Sequence, residues 1–373
     1  MAIKRYFATK DNTITNAYEF NLKTRATGSN MGQADILETF SIYGQVSSST
    51  GYSSELARSL LQFSTSDIST DRSAGTIPAS GSVTWYLKMY NAPHSSTLPK
   101  NYTLEVKVVS GSWEEGHGLD MDNYTDITHG NPGSNWIVAA GTPVSASATV
   151  TVVNEGWVEA GDTISMISTS GTTIVCTMHG STTTSAATSG NVQAAIGAST
   201  TATATNIATA INYNTLFTAS SSGAVVTITQ VTTGKAGNTD ITITEGGATG
   251  FSKTNFTDGD GTWETEGGDY HSSPIFTQSF DLGSEDLEID VSDIVEQWLA
   301  STKAHNGLAV MVSSSLESES RSYYTKKFFG RGTEFFFKRP TLEARWDSVR
   351  KDQRGEFYYS SSIAPAADNL NTL

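Results

Sequence analysis

The residues best suited to bind a cation lie in one acidic segment that follows Trp113. Its five carboxylates fall within fourteen residues of one another and would offer Ca²⁺ the oxygen ligands it prefers. The segment lacks the glycine at the sixth position and the distal glutamate of an EF-hand loop, so a solvated turn is the favoured interpretation. The five are Glu114, Glu115, Asp120, Asp122 and Asp126, and the last three are the candidate calcium ligands.

Two glutamates stand beside tryptophans, Glu114 after Trp113 and Glu264 after Trp263. Glycoside hydrolysis needs two carboxylates that face each other across a sugar cleft, and the sequence does not supply that separation. The six histidines are scattered, with none at helical i, i+4 spacing, so no zinc site is indicated. Nucleophile-elbow, phosphate-loop and dinucleotide-binding motifs are absent from the sequence. We therefore predict a protein that is not an enzyme and needs no cofactor.

Aromatic residues are dense near the carboxyl end, and too many occur there for one face of one strand. They either cover a short helix predicted at 293–300 or fill a subunit interface, where aromatic residues are enriched, and a mixture of the two is favoured. A basic patch among them either docks on an acidic neighbouring subunit or is solvated. Its members are Lys326, Lys327, Arg331, Lys338 and Arg339. The candidate interface residues are Phe328, Phe329, Phe335, Phe336, Arg339, Tyr358 and Tyr359.

Alternating apolar and polar residues predict the strands that must position these groups. Val83, Trp85, Leu87 and Met89 share one face of such a run, and residues 104–108 form another. Charged residues make up only 16% of the chain, while Ser, Thr and Gly are abundant, which is typical of short strands and tight turns. The predicted fold class is all-β.

The composition changes abruptly between residues 142 and 260, where Thr, Ser, Ala and Gly dominate. Ala204, Ile207, Ala208 and Ile211 follow i, i+3, i+4, i+7 spacing, which predicts a short helix, and strand patterns come after it. A disordered linker is the alternative. The regular order of helix and strands favours a small inserted β-rich (α+β) domain.

The pattern of the first part returns after residue 261. Ser292 is positioned to cap the helix predicted at 293–300, and strand-like runs follow at 308–312 and 342–346. We therefore predict that 1–141 and 261–346 close into one discontinuous β-sandwich. Residues 347–373 lack periodicity and are predicted to be an extended C-terminal arm or the start of a longer chain.

Charge and cysteine content restrict the partners. The net charge is −15, which repels phosphate backbones, so nucleic acid is not expected as a partner. Cys176 is the single cysteine and is predicted to be a buried small hydrophobe. No window approaches the roughly 18 apolar residues of a membrane span, and the first residues lack a secretion signal. We expect neither membrane insertion nor classical secretion.

With the insert removed, the order of landmarks resembles the DNRLRE-type β-sandwich, a carbohydrate-binding-module-like domain of bacterial surface proteins and phage structural proteins. The resemblance implies a jelly-roll-like antiparallel sandwich with an extra domain in its middle loop. The stretches that carry it are 11–14 (DNTI), 58–63 (RSLLQF), 83–90 (VTWYLKMY), 112–118 (SWEEGHG), 135–136 (NW), 262–270 (TWETEGGDY), 289–299 (IDVSDIVEQWL) and 306–310 (NGLAV).

Two further stretches resemble segments of phage virion proteins. Residues 201–212 (TATATNIATAIN) resemble the helix of Thr-rich modules in phage head and tail proteins, and residues 347–373 resemble segments of large virion proteins that continue further. The first hypothesis is therefore a structural component of a bacteriophage virion, in the tail, neck, fibre attachment or capsid decoration. Its partners would be other virion proteins and copies of itself.

The second hypothesis is a carbohydrate-binding adhesin that contacts a host-surface glycan. Its candidate contacts are Trp113, Trp136 and Trp263, whose rings could stack on sugars at the loop end of the sandwich. A polysaccharide-degrading enzyme is the third hypothesis, and it rests only on Glu114 and Glu264.

Overall fold

The computed structural model describes residues 1–48, 51–94, 98–119, 133–180, 184–185, 190–348, 351–352 and 371–372. Strands make up 41% of the structure and helices 13%, which confirms the predicted all-β fold class. In the described part, no helix has the length and apolar character that crossing a membrane requires.

The elements alternate between short strands and a few short helices. In chain order they are β1 (Ala2–Phe7), β2 (Lys10–Thr15), β3 (Ile36–Ser48), β4 (Gly51–Gln62), α1 (Thr65–Ser73), β5 (Thr84–Met89), β6 (Tyr102–Val109), β7 (Ser147–Val152), β8 (Thr163–Ile167), β9 (Thr173–His179), β10 (Thr184–Ser185), β11 (Val192–Ala195), α2 (Thr200–Ile211), β12 (Phe217–Ser222), β13 (Val225–Gln230), β14 (Ile241–Thr244), β15 (Phe251–Lys253), β16 (Tyr270–Phe280), β17 (Leu287–Asp290), α3 (Ser292–Leu299), β18 (Leu308–Val312), α4 (Ser314–Glu317), β19 (Tyr323–Phe329), β20 (Thr341–Trp346), β21 (Lys351–Asp352) and β22 (Asn371–Thr372).

Two antiparallel sheets form the sandwich. Sheet A has the order β1-β20-β5-β17, and sheet B has the order β16-β6-β18-β4-β3-β19, with β2 also paired to β4. Each sheet joins strands from both sides of the 142–260 segment. The first strand pairs with the last one of the sandwich, from Ala2 opposite Trp346 to Phe7 opposite Thr341.

The main core lies between the two sheets. On β5 the alternation predicted from the sequence is present, because Trp85, Leu87 and Met89 are buried while the residues between them are only partly covered. Sheet B contributes apolar residues of β6, β18 and β19 to the same core. On β18 the neighbouring residues Ala309 and Met311 are buried against a second cluster, so this sheet is covered on both faces. A strand buried on both faces explains the continuous apolar run of β18.

Helix α3 closes the sandwich with buried Ile294, Val295 and Trp298. It begins at Ser292 itself, so the prediction that Ser292 caps the helix is wrong. The Ser292 hydroxyl instead donates to Asp290 at 2.6 Å and accepts the Trp85 backbone N–H at 2.8 Å. These bonds tie the start of the helix to sheet A.

The segment from residue 146 to residue 256 has a core of its own. Its five-stranded sheet has the order β10-β11-β9-β8-β14, its four-stranded sheet has the order β12-β13-β7-β15, and α2 packs against strands of both. The predicted helix is confirmed, with Ser199 accepting from the Ala202 N–H as its cap. Cys176 lies in this core, and burial raises the pKa of its thiol to about 12.

The residues described in the predicted C-terminal arm are 347–348, 351–352 and 371–372. Strand β21 pairs with β22 in an antiparallel ladder, with Lys351 opposite Thr372 and Asp352 opposite Asn371. Tyr358 and Tyr359, predicted at a subunit interface, lie outside the described residues.

Candidate functional site

The three tryptophans predicted to contact glycan come together, although they are far apart in the sequence. Trp113, Trp136 and Trp263 pack on the second face of sheet B and are all buried. The Trp113 Nε1–H donates to the Asn306 carbonyl at 2.8 Å. The Trp263 Nε1–H donates to a carbonyl of the 135–139 loop, also at 2.8 Å. The prediction that their rings stack on sugars is wrong, because this packing leaves no ring face open.

A partly buried polar network anchors the loop that carries Trp113. Arg331 donates to both carboxylate oxygens of Glu115, at 3.0 and 2.7 Å, and its backbone N–H donates to the Asp11 carboxylate. The Asp11 N–H in turn donates to Glu115 at 2.8 Å. Burial raises the pKa of Asp11 to about 7. Glu115 therefore anchors the loop.

The remaining acidic candidates divide into two groups. Asp120, Asp122 and Asp126, the predicted calcium ligands, lie outside the described residues. Glu114, a candidate hydrolase carboxylate, accepts the Gly141 N–H at 3.1 Å and so braces the same loop. Within the described ranges, no group of three His, Cys, Asp or Glu side chains is placed to hold a metal ion.

The predicted aromatic interface splits into a buried and an exposed part. Phe328 and Phe329 are buried within the sandwich, so they are corrected to core residues. Phe328 lies on the inward face of β19, where buried and less buried residues alternate. Backbone pairing with residues 90–92 covers the end of this strand. Three consecutive side chains stay open to solvent, with exposed fractions of 51% for Phe335, 48% for Phe336 and 74% for Phe337. We call these three residues the aromatic ridge.

The aromatic ridge is held in place by rings and cations beside it. The Phe336 ring lies 4.5 Å from the ring of Phe7, on β1, and 5.4 Å from that of Phe337. The Arg339 guanidinium lies 5.3 Å from the Phe336 ring. The Lys338 ammonium lies 5.2 Å from the ring of Phe335. The ridge is therefore a supported structure and presents aromatic faces together with two positive charges.

The outer face of sheet A continues from the ridge through a ladder of alternating charges. Arg5 pairs with Glu343 at 2.7 Å, Glu343 with Arg345 at 2.6 Å, Arg345 with Glu288 at 2.7 Å, and Glu288 with Lys88 at 2.9 Å. Burial works against ionisation of Glu343, but hydrogen bonds from the two arginines hold its pKa below the ordinary value. These ion pairs make the charge ladder a continuous polar surface.

A shallow depression of about 360 Å³ lies at one end of this face. Its lining includes the partly exposed rings of Tyr86 and Trp346, together with Arg345 and Asp347. The Arg345 guanidinium lies 4.2 Å from the Tyr86 ring. Strand β1 forms the edge of sheet A beside it, with Ile3 exposed.

The predicted basic patch is corrected because three of its five members have other positions. Lys327 pairs with Glu38 at 2.7 Å, Arg331 pairs with Glu115, and Lys326 is fully buried. Only Lys338 and Arg339 remain beside the ridge. Lys327 and Arg331 are held away from the ridge by the opposite charges of their partners.

Sequence reasoning missed the environment of Lys326. Its Nζ donates to Asn91 Oδ1 at 2.7 Å and to the carbonyls of Gly283 and Glu285 at 2.8 and 2.6 Å. Burial lowers its pKa to about 8. The signal was available in β19, where strand alternation places Lys326 on the inward face that it shares with Phe328.

No protein family, curated protein or solved structure matches this chain.

Proposed function

We propose that the chain is a structural protein of a bacteriophage particle, which acts by assembling with copies of itself and with other virion proteins. The aromatic ridge carries this proposal. Phe335, Phe336 and Phe337 are consecutive, exposed and braced by neighbouring side chains, on a chain whose other large apolar residues mostly lie in the two cores. The resemblance of the sandwich and its insert to phage structural modules supports the same setting.

Energetics favour a protein partner for the ridge. Covering a phenylalanine side chain contributes about 1.5–3 kcal/mol, so three adjacent rings offer enough to hold two subunits together weakly or to anchor a larger interface. Aromatic residues and arginine are enriched at the centres of such interfaces, and Arg339 stands beside Phe336. The charge ladder next to the ridge would form the polar rim.

A repeated interface suits a virion component. Many copies of one chain build a particle when each uses the same surface patch in the same way. The sheet edge at β1 lies beside the ridge through the contact of Phe7 with Phe336, so a neighbouring subunit could engage both. Tail, neck, fibre attachment and capsid decoration are the positions in the particle that we propose for it.

The test is sedimentation velocity of the full chain over a range of concentrations. We expect reversible self-association, and we expect the double substitution Phe336→Ser with Phe337→Ser to weaken it by roughly 10-fold or more, because the interface would lose two of the rings that it covers. The matched control is Phe20→Ser, since Phe20 is 77% exposed and lies in the loop between β2 and β3, far from the ridge in the sequence.

A chain that stays monomeric at about 100 µM, where the free energy of association would be weaker than about −6 kcal/mol, would contradict self-assembly through the ridge. Equal weakening by the Phe20→Ser control would show that exposed aromatic residues associate without specificity. That result would also count against the proposal.

One observation favours a second function, a carbohydrate-binding adhesin. The depression beside Tyr86 and Trp346 combines partly exposed rings with Arg345 and Asp347, the residue types that stack on sugars and bind their hydroxyl groups. Titration with oligosaccharides, followed by tryptophan fluorescence, tests it. Binding that is lost in Trp346→Ala would support this function, and no response at millimolar sugar would remove it.

A further inference from the structure

Lys326 and Asn91 present an amine and a carboxamide to each other in a buried setting. The Lys326 side chain is 0% exposed, and its Nζ lies 2.7 Å from Asn91 Oδ1, the oxygen bonded to the amide carbon Cγ. The rings of Phe280 and Phe328 lie 4.9 and 5.2 Å from the same Nζ. Burial favours the neutral amine, which is the nucleophilic form, and outweighs the nearby carboxylates, which favour the charged form.

Two carboxylates lie near this pair, although neither forms an ion pair with Lys326 among the described residues. The charges of Glu285 and Asp286 act on Lys326, and Glu285 Oε2 is buried with no hydrogen-bond partner among the described residues. His94 Nε2, whose ring is close enough to feel the Lys326 charge, is likewise without a partner in the described part of the chain. Asp286 accepts the Asn91 backbone N–H at 2.8 Å and so positions Asn91.

We propose that Lys326 Nζ and Asn91 Cγ form an intramolecular amide bond, with release of ammonia. The neutral amine attacks Cγ, and Glu285 takes one proton from Nζ. Glu285 then returns this proton to Nδ2, the Cγ–Nδ2 bond breaks, and ammonia leaves. The step needs no oxidant, reductant or co-reactant, because the amine hydrogen that Lys326 loses is the third hydrogen of the ammonia.

The pKa of Lys326 agrees with this chemistry. Burial lowers it to about 8, so about one tenth of the side chain is already neutral at pH 7. A lysine with an ordinary pKa would be neutral in only a few molecules per ten thousand at that pH.

The bond would join the two sheets of the sandwich. Asn91 follows β5 of sheet A, and Lys326 lies on β19 of sheet B. Residues 90–92 already approach β19, since the Phe329 N–H donates to the Tyr90 carbonyl and the Ala92 N–H to the Lys327 carbonyl. The covalent loop would span 235 residues and enclose the whole 142–260 insert. Pulling on the chain termini could then not separate β5 from β19.

Mass spectrometry of the full purified chain tests the proposal. We expect the intact denatured chain to weigh less than its sequence by one ammonia. Tryptic digestion should fail to cut after Lys326 and should yield a branched peptide that joins Lys326 to Asn91. Ring closure at Asn306 before Gly307 would also release ammonia, but it would leave cleavage after Lys326 intact. Full mass together with normal cleavage after Lys326 would overturn the proposal.

Three substitutions sharpen the test, each with its fold checked by tryptophan fluorescence. Lys326→Met should restore the full mass, and Glu285→Gln should do so while keeping both reacting side chains. Asn91→Asp should lose water instead of ammonia and end at the same mass as the cross-linked natural chain. Bond formation at an unchanged rate in Glu285→Gln would overturn the proton-relay role of Glu285.

Lys327→Met is the matched control, because Lys327 is the next residue on β19 and pairs with Glu38 instead. It should still lose ammonia. Retention of the full mass by this control would mean that any lysine substitution on β19 prevents the loss, which would contradict a reaction specific to Lys326.

Discussion

Asp11 is a buried carboxylate whose protonated form the fold favours. Burial raises its pKa to about 7, against about 4 in an unfolded chain. Its contribution to stability is therefore fully present below about pH 4 and is lost as the pH rises through about 7. Between these values the folded chain binds more protons than the unfolded one.

We predict that Asp11→Asn removes this pH dependence. The amide keeps an oxygen for the Arg331 N–H but cannot ionise, so the free energy of unfolding at about pH 8 should rise by on the order of 2–4 kcal/mol relative to the natural chain. Urea unfolding at about pH 5 and about pH 8 measures it. Asp35→Asn, at an exposed position in the nearby loop, is the control and should change neither value. An equal pH dependence in Asp11→Asn would contradict the assignment.

The Glu296 carboxylate attaches the middle of helix α3 to sheet A and to α1. Glu296 accepts two hydrogen bonds from Arg72, at 2.6 and 3.0 Å, and one from the Trp85 indole N–H at 2.9 Å. Trp85 is fully buried, so its N–H has no route to water when this acceptor is removed. Hydrogen bonds to charged groups are the strong ones.

We therefore expect Glu296→Ala to destabilise the sandwich by about 2–4 kcal/mol, because it leaves a buried indole N–H and a guanidinium unpaired. Thermal unfolding followed by tryptophan fluorescence gives the value. Asp293 lies on the exposed side of the same helix. Asp293→Ala should lower the free energy of unfolding by no more than about 1 kcal/mol, which is what a negative charge at a helix N-terminus contributes. Equal costs for the two substitutions would contradict the specific role of Glu296.

Elements with a clear period could be predicted from the sequence. The inward residues of β5 and the apolar face of α2 followed the alternation and the i, i+3, i+4, i+7 spacing. The predictions that were wrong concern residues whose positions depend on tertiary contacts. Ser292 found a partner on sheet A instead of capping its helix, and the three indoles were covered by loops whose course no local pattern encodes. The Lys326–Asn91 pair joins two strands far apart in the chain, so spacing could not reveal it.

At the scale of the whole molecule, the chain contains two kinds of core that share no residue. The insert core includes Cys176, Ile207 and residues between 146 and 256, while six of the seven tryptophans lie outside that range. Trp157, the seventh, is half exposed. Thiol labelling of Cys176 therefore reports on opening of the insert, and tryptophan fluorescence reports on the sandwich.

We predict that the two cores respond separately to cavity-forming substitutions. Ile207→Ala should lower the free energy of the opening that exposes Cys176 to labelling by about 2–4 kcal/mol. The denaturant midpoint measured by tryptophan fluorescence should stay nearly unchanged. Ile294→Ala, in the sandwich core, should have the opposite effect. Parallel shifts of both probes in both variants would contradict separate cores.

The proposed function makes the molecule a subunit of a larger particle. On this proposal, its aromatic ridge, charge ladder and sheet edge at β1 would meet neighbouring subunits. A cross-link between Lys326 and Asn91 would suit a subunit under mechanical load. The proposed function requires that the chain be built into a particle in several copies.

Quantitative mass spectrometry of purified particles tests this most directly. Particles from the organism that carries the gene would be banded on a density gradient, and peptides of the chain would be counted against an isotope-labelled standard. We predict that the chain bands with the particles in a constant ratio of several copies to each. Recovery of the chain only in the soluble fraction, with none in the particle band, would contradict the account.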